Sequence, residues 1–266
     1  MLTIAKYVKA ESLEEAYELN QKRSSVILGG MLWLKMQNKR VSTAIDLSGL
    51  GLDTIEETPD AYRIGAMVTL RQLEMHRGLN ELTDGAAGES VKHIVGVQFR
   101  NLATVGGSLF GRYGFSDVLT FFMAAGASVE LYHRGIVTVE EFASMPRDRD
   151  ILVRVLVPKT RQTMVYLSQR NTRTDFPVLT CCVSRAEDEI RCVIGARPKA
   201  AVCMRDEQGI LKNGITVESA AAFGRYTREH VKTGSNMRGS EAYRSVLSEV
   251  LTRRALLGIL ELDKEG

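Results

Sequence analysis

The chain has 266 residues, enough for one large or two modest domains at about 150 residues each. Its 44% hydrophobic and 25% charged content is ordinary for a globular protein and excludes collagen-like, disordered and disulfide-scaffold classes. With 35 Lys and Arg against 32 Asp and Glu, the net charge is +3 and is spread along the chain, which leaves no footprint for nucleic acid or a membrane surface.

The first helix is expected at Ser12, whose hydroxyl can cap while Glu15 reaches back, with Leu13, Ala16 and Tyr17 on its apolar face. Val26-Ile27-Leu28 reads as a buried strand that stops at Gly29-Gly30. The following MLWLKMQNK has helix-forming composition, with Met31, Leu34 and Lys35 at helical spacing, so the unit reads as strand, Gly-Gly, helix. Ala44 to Leu47 is a short strand. Leu52 to Glu56 and Tyr62 to Ala66, parted by Thr58-Pro59-Asp60, read as a hairpin. Thr69 with Gln72 repeats the capping signal. After a second Gly-rich turn at Gly106-Gly107, Ser116-Asp117 caps the apolar helix VLTFFMAA, which Gly126 ends.

Strands around Ser128 to Tyr132 and Ile151 to Val157 precede Pro158-Lys159-Thr160, the expected domain boundary. Beyond it, Val165 to Gln169, Val178 to Ser184 and Ile190 to Gly195 form a meander, with a turn at Ala186 to Glu189. Two helices finish the chain, Val217 to His230 and Ser240 to about Leu260. The second carries Tyr243, Val246, Leu247, Val250 and Leu251 on one face. Strands grouped apart from helices argue an α+β protein in two domains.

The run from Val118 to Val129 is broken by Thr120, Gly126 and Ser128 and falls short of the roughly 20 residues that span a bilayer. The N-terminus has no apolar core before a small-residue cleavage site, so the cytoplasm is expected. Cys181, Cys182, Cys192 and Cys203 lack Cys-x-x-Cys spacing and read as buried, reduced thiols in strands. His76, His93, His133 and His230 are scattered without ligand spacing, so no metal site is expected, and no catalytic side chain stands out.

A Gly-rich turn after an apolar strand is either a plain tight turn or a cradle for phosphate, because no Cβ blocks approach to the backbone N–H groups. Neither Gly-Gly pair forms Gly-x-Gly-x-x-Gly or a Walker loop, and Gly49-Leu50-Gly51 reads as loop.

The stretch VQFRNLATVGGSLFGRYGFSDVLTFFMAAGASVEL, from Val97 to Leu131, resembles the FAD-binding (medium) subunit family of molybdenum hydroxylases, of the xanthine dehydrogenase and carbon monoxide dehydrogenase type. Arg100, Asn101, Ala103, Thr104, Gly106, Gly107, Ser116, Asp117, Gly126 and Ala127 fall in that family's register. ILGG at Ile27 to Gly30, Gly195 with Pro198 and Ala200, and RGSEAYR at Arg238 to Arg244 agree in order along the chain.

The resemblance implies a two-subdomain FAD-binding domain over residues 1–158, with subdomains of about 1–57 and 58–158. A C-terminal domain of three strands and helices then covers 159–266. It implies FAD as cofactor, with Ile27, Leu28, Gly29, Gly30 and Met31 contacting it from the first loop and Thr104, Gly106, Gly107 and Ser108 from the second. Asp117 would accept a hydrogen bond from it, and Ile151 and Leu152 would pack near its ring. It also implies an iron-sulfur small subunit and a molybdopterin large subunit as partners, with electrons passing through FAD to an acceptor such as NAD.

This sequence departs from the family pattern in several places. Met31-Leu32 stand where Thr-Asp is usual, Ser108 replaces Asn, Gly114 replaces Pro, and the usual Lys after the boundary becomes Ser168 or Gln169, with Arg170 nearby. Two other functions stay open, a non-catalytic assembly subunit that has lost FAD and a free-standing flavin reductase of the enolpyruvyl-sugar reductase type. Trp33 reads as subdomain packing in preference to flavin stacking.

Overall fold

The computed structural model describes residues 1–186 and 189–265. The chain opens with β1 (Thr3–Lys9), α1 (Leu13–Asn20), β2 (Ser25–Leu28) and β3 (Arg40–Asp46). These strands make a parallel sheet in the order β1-β3-β2, with α1 as the crossover that parallel pairing requires. Ser12 Oγ accepts from the Glu15 N–H at 3.1 Å, as the capping signal predicts, while Glu15 reaches back to the Glu11 N–H at 2.8 Å.

The helix expected after Gly30 does not form. Met31 takes a positive φ of 57°, and only a 3-10 turn at Leu34–Met36 follows. A left-handed residue cannot continue an α-helix, and Trp33 is engaged by the rings of Phe99 and Phe176. Tertiary contacts thus override helix-forming composition here.

The second part runs through β4 (Ile55–Glu57), β5 (Ala61–Gly65), α2 (Leu70–Met75), α3 (Arg77–Leu82), α4 (Ala86–Val91), α5 (Val97–Arg100), α6 (Val105–Leu109), α7 (Asp117–Ala124), β6 (Ser128–Leu131), β7 (Gly135–Thr138), α8 (Val139–Ser144) and β8 (Leu152–Pro158). Its antiparallel sheet has the order β4-β5-β8-β6-β7. Ile55 to Glu57 pair with β5 and so join the second sheet, beside the expected subdomain division at about residue 57.

Ser116 Oγ caps α7 by accepting from the Leu119 N–H at 3.1 Å, and Gly126 at φ 64° ends the helix as expected. Every residue of α7 is buried. Phe121 and Phe122 share one apolar cluster with Val129 and Val155 of the second sheet and with Cys182 and Val193 of the third, so α7 is covered on both sides.

The third sheet holds β9 (Thr163–Arg170), β10 (Pro177–Ala186), β11 (Glu189–Gly195) and β12 (Val202–Met204) in the antiparallel order β12-β11-β10-β9. It has four strands where three were expected; β12 is a three-residue edge. The turn expected at Ala186 to Glu189 includes two residues outside the described ones. Along β10 the pleat sends Cys182 toward α7 and Cys181 and Val183 toward α9 (Val217–His230) and α10 (Glu241–Glu265). Among the described residues, no helix is long and apolar enough to cross a membrane.

The buried face of α10 differs from the expected one. Leu247 and Leu251 are buried, but Tyr243 and Val246 are exposed, and Arg244 takes the core position between them. Its guanidinium donates to the carbonyls of Val178 at 2.8 Å and Gly234 at 2.7 Å and to Asn236 Oδ1 at 2.7 Å. A hydrophobicity pattern cannot register such a residue, because it is buried only through those acceptors. Arg244→Met strands them and should cost about 3 kcal/mol of stability. A lowered urea midpoint measures that loss, and an unchanged midpoint would show that the acceptors find water.

Candidate cofactor site

A cleft of about 380 Å³ collects residues from all three parts of the fold. The first loop contributes Ile27, Gly29, Gly30 and Met31, the second Thr104, Gly107 and Ser108, and the start of α7 Asp117. Four expected contacts do not line it. Leu28 and Gly106 are buried, and a Cβ on Gly106 would sit 2.8 Å from Ala66. Ile151 packs in the core of the first sheet with Ala10 and Leu47, and Leu152 in the second core with Val155. Ile151, just before β8, and Leu152, its first residue, thus pack into different cores, and neither lines the cleft.

The two Gly loops touch. A Cβ on Gly30 would fall 1.8 Å from the Leu102 carbonyl oxygen, and one on Gly29 would lie 2.8 Å from Thr104 Oγ1 and 3.6 Å from Gly107 Cα. Glycine is required at position 30 by that backbone approach. Thr104 is buried and caps α6 by accepting from the Gly107 N–H at 3.1 Å. Arg100, also buried, fixes the segment before it through Glu74, with Nε to Oε2 at 2.7 Å and Nη2 to Oε1 at 3.1 Å, and through the Ile94 carbonyl.

The N–H groups of Gly29, Gly30 and Met31 have no acceptor among the described residues. Successive free N–H groups in a turn form a concavity for an anion, and no side chain of residues 29 to 31 is needed to make it. A diphosphate fits this arrangement: the donors of the first loop and the glycine at position 107 of the touching second loop adjoin on the lining of the cleft, with no side chain at either glycine. The loss of a hydroxyl and a carboxylate at Met31-Leu32 leaves those backbone donors in place.

Asp117 lies at the bottom. Its Oδ1 accepts from Tyr166 Oη and from Arg170 Nη2, both at 2.5 Å, and all three side chains are nearly sealed from solvent. Burial pushes the carboxyl up to about 6, outweighing the pull of the Arg170 guanidinium and of the Tyr166 hydrogen bond. Burial also pushes the Tyr166 phenol up. Arg170 is further held by Ser168 Oγ at 3.2 Å and the Asp175 carbonyl at 2.6 Å.

Sequence reasoning missed Tyr166 and Phe176 as part of this site and placed Arg170 only nearby. Tyr166 and Arg170 lie four residues apart on β9, which puts them on one face of a strand. That spacing of a phenol and a guanidinium was the available signal. Nothing local marks Phe176.

Because the folded-state value of Asp117 lies above its ordinary 3.8, the native state binds the proton more tightly than the unfolded chain. That stabilisation is fully present below about pH 4 and is lost as pH rises through about 6. Between pH 4 and pH 7 the parent should therefore lose about 3 kcal/mol more than Asp117→Asn, read from urea midpoints across that range. Parallel pH profiles for the two proteins would remove Asp117 as the titrating group.

Comparison with known proteins places this geometry. The family described as "FAD binding domain in molybdopterin dehydrogenase" matches residues 3–160. The nicotine 6-hydroxylase medium subunit of Paenarthrobacter nicotinovorans is 26% identical, covering 96% of this chain and 97% of its own length. The xanthine dehydrogenase FAD-binding subunit of Escherichia coli O157:H7 is 23% identical, covering 96% of each chain. In fold, a chain of carbon monoxide dehydrogenase from Hydrogenophaga pseudoflava superposes with a TM-score of 0.87 at 19% identity, over 98% of this chain and 99% of that one. With that match over more than half of its length, the chain belongs to the family of FAD-binding domains of molybdopterin dehydrogenases.

Proposed function

We propose that this chain is the FAD-binding subunit of a cytoplasmic molybdenum hydroxylase. It relays electrons from the clusters of an iron-sulfur small subunit, fed by a molybdopterin large subunit, through FAD to an acceptor such as NAD. The observation that carries the reading is the row of acceptor-free N–H groups at Gly29, Gly30 and Met31 beside the glycine-bearing turn at Thr104 to Ser108. Matches along nearly the whole chain to proteins named as a medium subunit and an FAD-binding subunit support it.

FAD, when bound, supplies a ring that accepts a hydride or single electrons. The chain's own part is binding, orientation and exclusion of water. Backbone donors of the first loop would hold the diphosphate, with Gly107 keeping the adjoining wall low. Arg170, fixed by Asp117 and Tyr166, would present a cation at the closed end. Residues 1–158 form the flavin-binding domain in this reading, and 159–266 a C-terminal domain that supplies Arg170 and Phe176 to its cleft and Tyr166 to Asp117. The four cysteines sit in β10, β11 and β12 and three of them are fully buried, so cluster ligands belong to the partner. Among the described residues no group of His, Cys, Asp or Glu is placed to hold a metal.

FAD at 100 times its Kd should stabilise the chain by about 2.7 kcal/mol and raise Tm accordingly, with FMN giving a smaller shift. Equal shifts for FAD and FMN would overturn the diphosphate assignment. Gly107→Val should lower the Tm of the ligand-free protein only modestly, because the added Cβ meets only Thr104 Oγ1, at 3.0 Å, and presses on the α6 cap, while FAD affinity falls at least roughly tenfold. Parental affinity in that variant would place FAD elsewhere. Substrate hydroxylation by the purified chain alone would overturn the relay.

A further inference from the structure

The rim of the cleft carries a set of aromatic rings that the FAD reading leaves unassigned. Trp33, the only tryptophan of the sequence, stacks on Phe176 with ring centroids 5.4 Å apart and planes 29° from parallel. Phe176 in turn meets Phe115 edge-on at 4.5 Å, and the Arg238 guanidinium lies over the Phe176 ring, 4.6 Å from its centroid. Trp33 follows the first Gly loop, Phe115 precedes α7, and Phe176 precedes β10. The contact therefore ties the loop of the first sheet to the edge of the third across the cleft that both residues line.

We propose that Trp33 and Phe176 form a clasp that FAD must open, the isoalloxazine replacing Phe176 on the face of Trp33. This rests on the FAD reading above. Ring centroids 5.4 Å apart leave no space for a third ring between them, so a flat ligand stacks on Trp33 only if Phe176 leaves. Phe176 is placed to leave. Residues 171 to 174 before it are exposed, and the β9–β10 register is irregular between Pro177 and Leu179 just after it, so the ring can swing out while the Asp175 carbonyl stays on Arg170. Trp33 keeps 39% of its surface exposed in a loop, which suits a face awaiting a partner better than a core ring. The chemistry next to it fits one end of FAD. The pyrimidine edge of a flavin alternates carbonyl oxygens with an N–H, and Arg170 and Asp117 at the closed end offer a donor and an acceptor.

The stack is worth little beyond the area it covers, so the clasp lowers apparent FAD affinity by roughly 2- to 10-fold and a ligand can open it. This gives opposite signs to two variants of the full chain, read as FAD affinity by flavin fluorescence. Phe176→Ala should bind FAD roughly 2- to 10-fold more tightly, because the competing ring is gone. Trp33→Ala should bind roughly tenfold more weakly, with Trp33→Phe recovering part of the loss. In the parent, FAD should quench Trp33 emission at one equivalent. ADP, which carries the diphosphate without the isoalloxazine, should bind the parent and Phe176→Ala alike.

If both rings merely hold the domains together, Phe176→Ala and Trp33→Ala weaken FAD in the same direction. That result overturns the clasp while leaving the FAD assignment intact, and so does an unchanged affinity in Phe176→Ala. Phe176→Leu, which keeps apolar bulk without a ring, should behave as Phe176→Ala does and guards against a folding defect. An equal gain for ADP would assign the exchanged face to another ring and overturn the proposal. A parent that takes up no FAD at all overturns the FAD reading and the clasp together.

Discussion

The cleft depends on a backbone approach between two distant segments, where Gly30 lies against the Leu102 carbonyl and Gly29 against Thr104. No side chain fits at position 30, so the first loop cannot drift away or be rebuilt around another residue there without moving the second. The second segment is itself anchored from behind. Buried Arg100 clamps Glu74 and the Ile94 carbonyl, and Thr104 caps α6. The donors that face the cleft are thus held by packing on their far side, which is how a site made of backbone atoms keeps its shape before any ligand arrives.

The bottom of the cleft depends on a different balance. Asp117 stands in the first turn of α7, a helix buried on all sides between two sheets, so its charge must find partners in a region with little water. Both come from β9, in the third sheet. The cost of burial still shows in the raised carboxyl of Asp117, and it makes the folding of the third sheet a condition for the electrostatics of a cleft whose loops belong to the first two.

Local chemistry made some of this legible in the sequence. Ser12, Thr69 and Ser116 each cap the helix that the pattern assigns to them, and Gly126 ends α7 in the left-handed conformation. These features need only a few neighbouring residues. What failed was set by partners far along the chain. MLWLKMQNK has helical composition but is bent by Met31 and by the rings around Trp33; α10 rotates about Arg244, whose acceptors lie elsewhere; β7 and β12 are short edges with weak alternation. Of the expected contacts, Gly29, Gly30, Gly107 and Asp117 line the cleft, whereas the side chains that give Asp117 its environment, Tyr166 and Arg170, come from a strand read only as structure. Ile151 and Leu152 lie in the cores and not on the cleft, since the residue types that suit a flavin pocket also suit a core.

Met31-Leu32 show how such a loop tolerates change. A left-handed Met costs on the order of 1 kcal/mol relative to glycine, and that cost persists only where surrounding structure over-determines the turn. The neighbours supply that constraint. Gly29 and Gly30 are wedged against the second loop, Leu32 packs on the apolar cluster that holds α7, and Trp33 is stacked against Phe176. An apolar residue at position 32 therefore anchors the loop where a carboxylate would have faced solvent or ligand. Leu32 thus gives the loop a buried attachment while the three N–H groups stay free, so the main-chain geometry proposed to receive a diphosphate does not depend on side chains at positions 31 and 32.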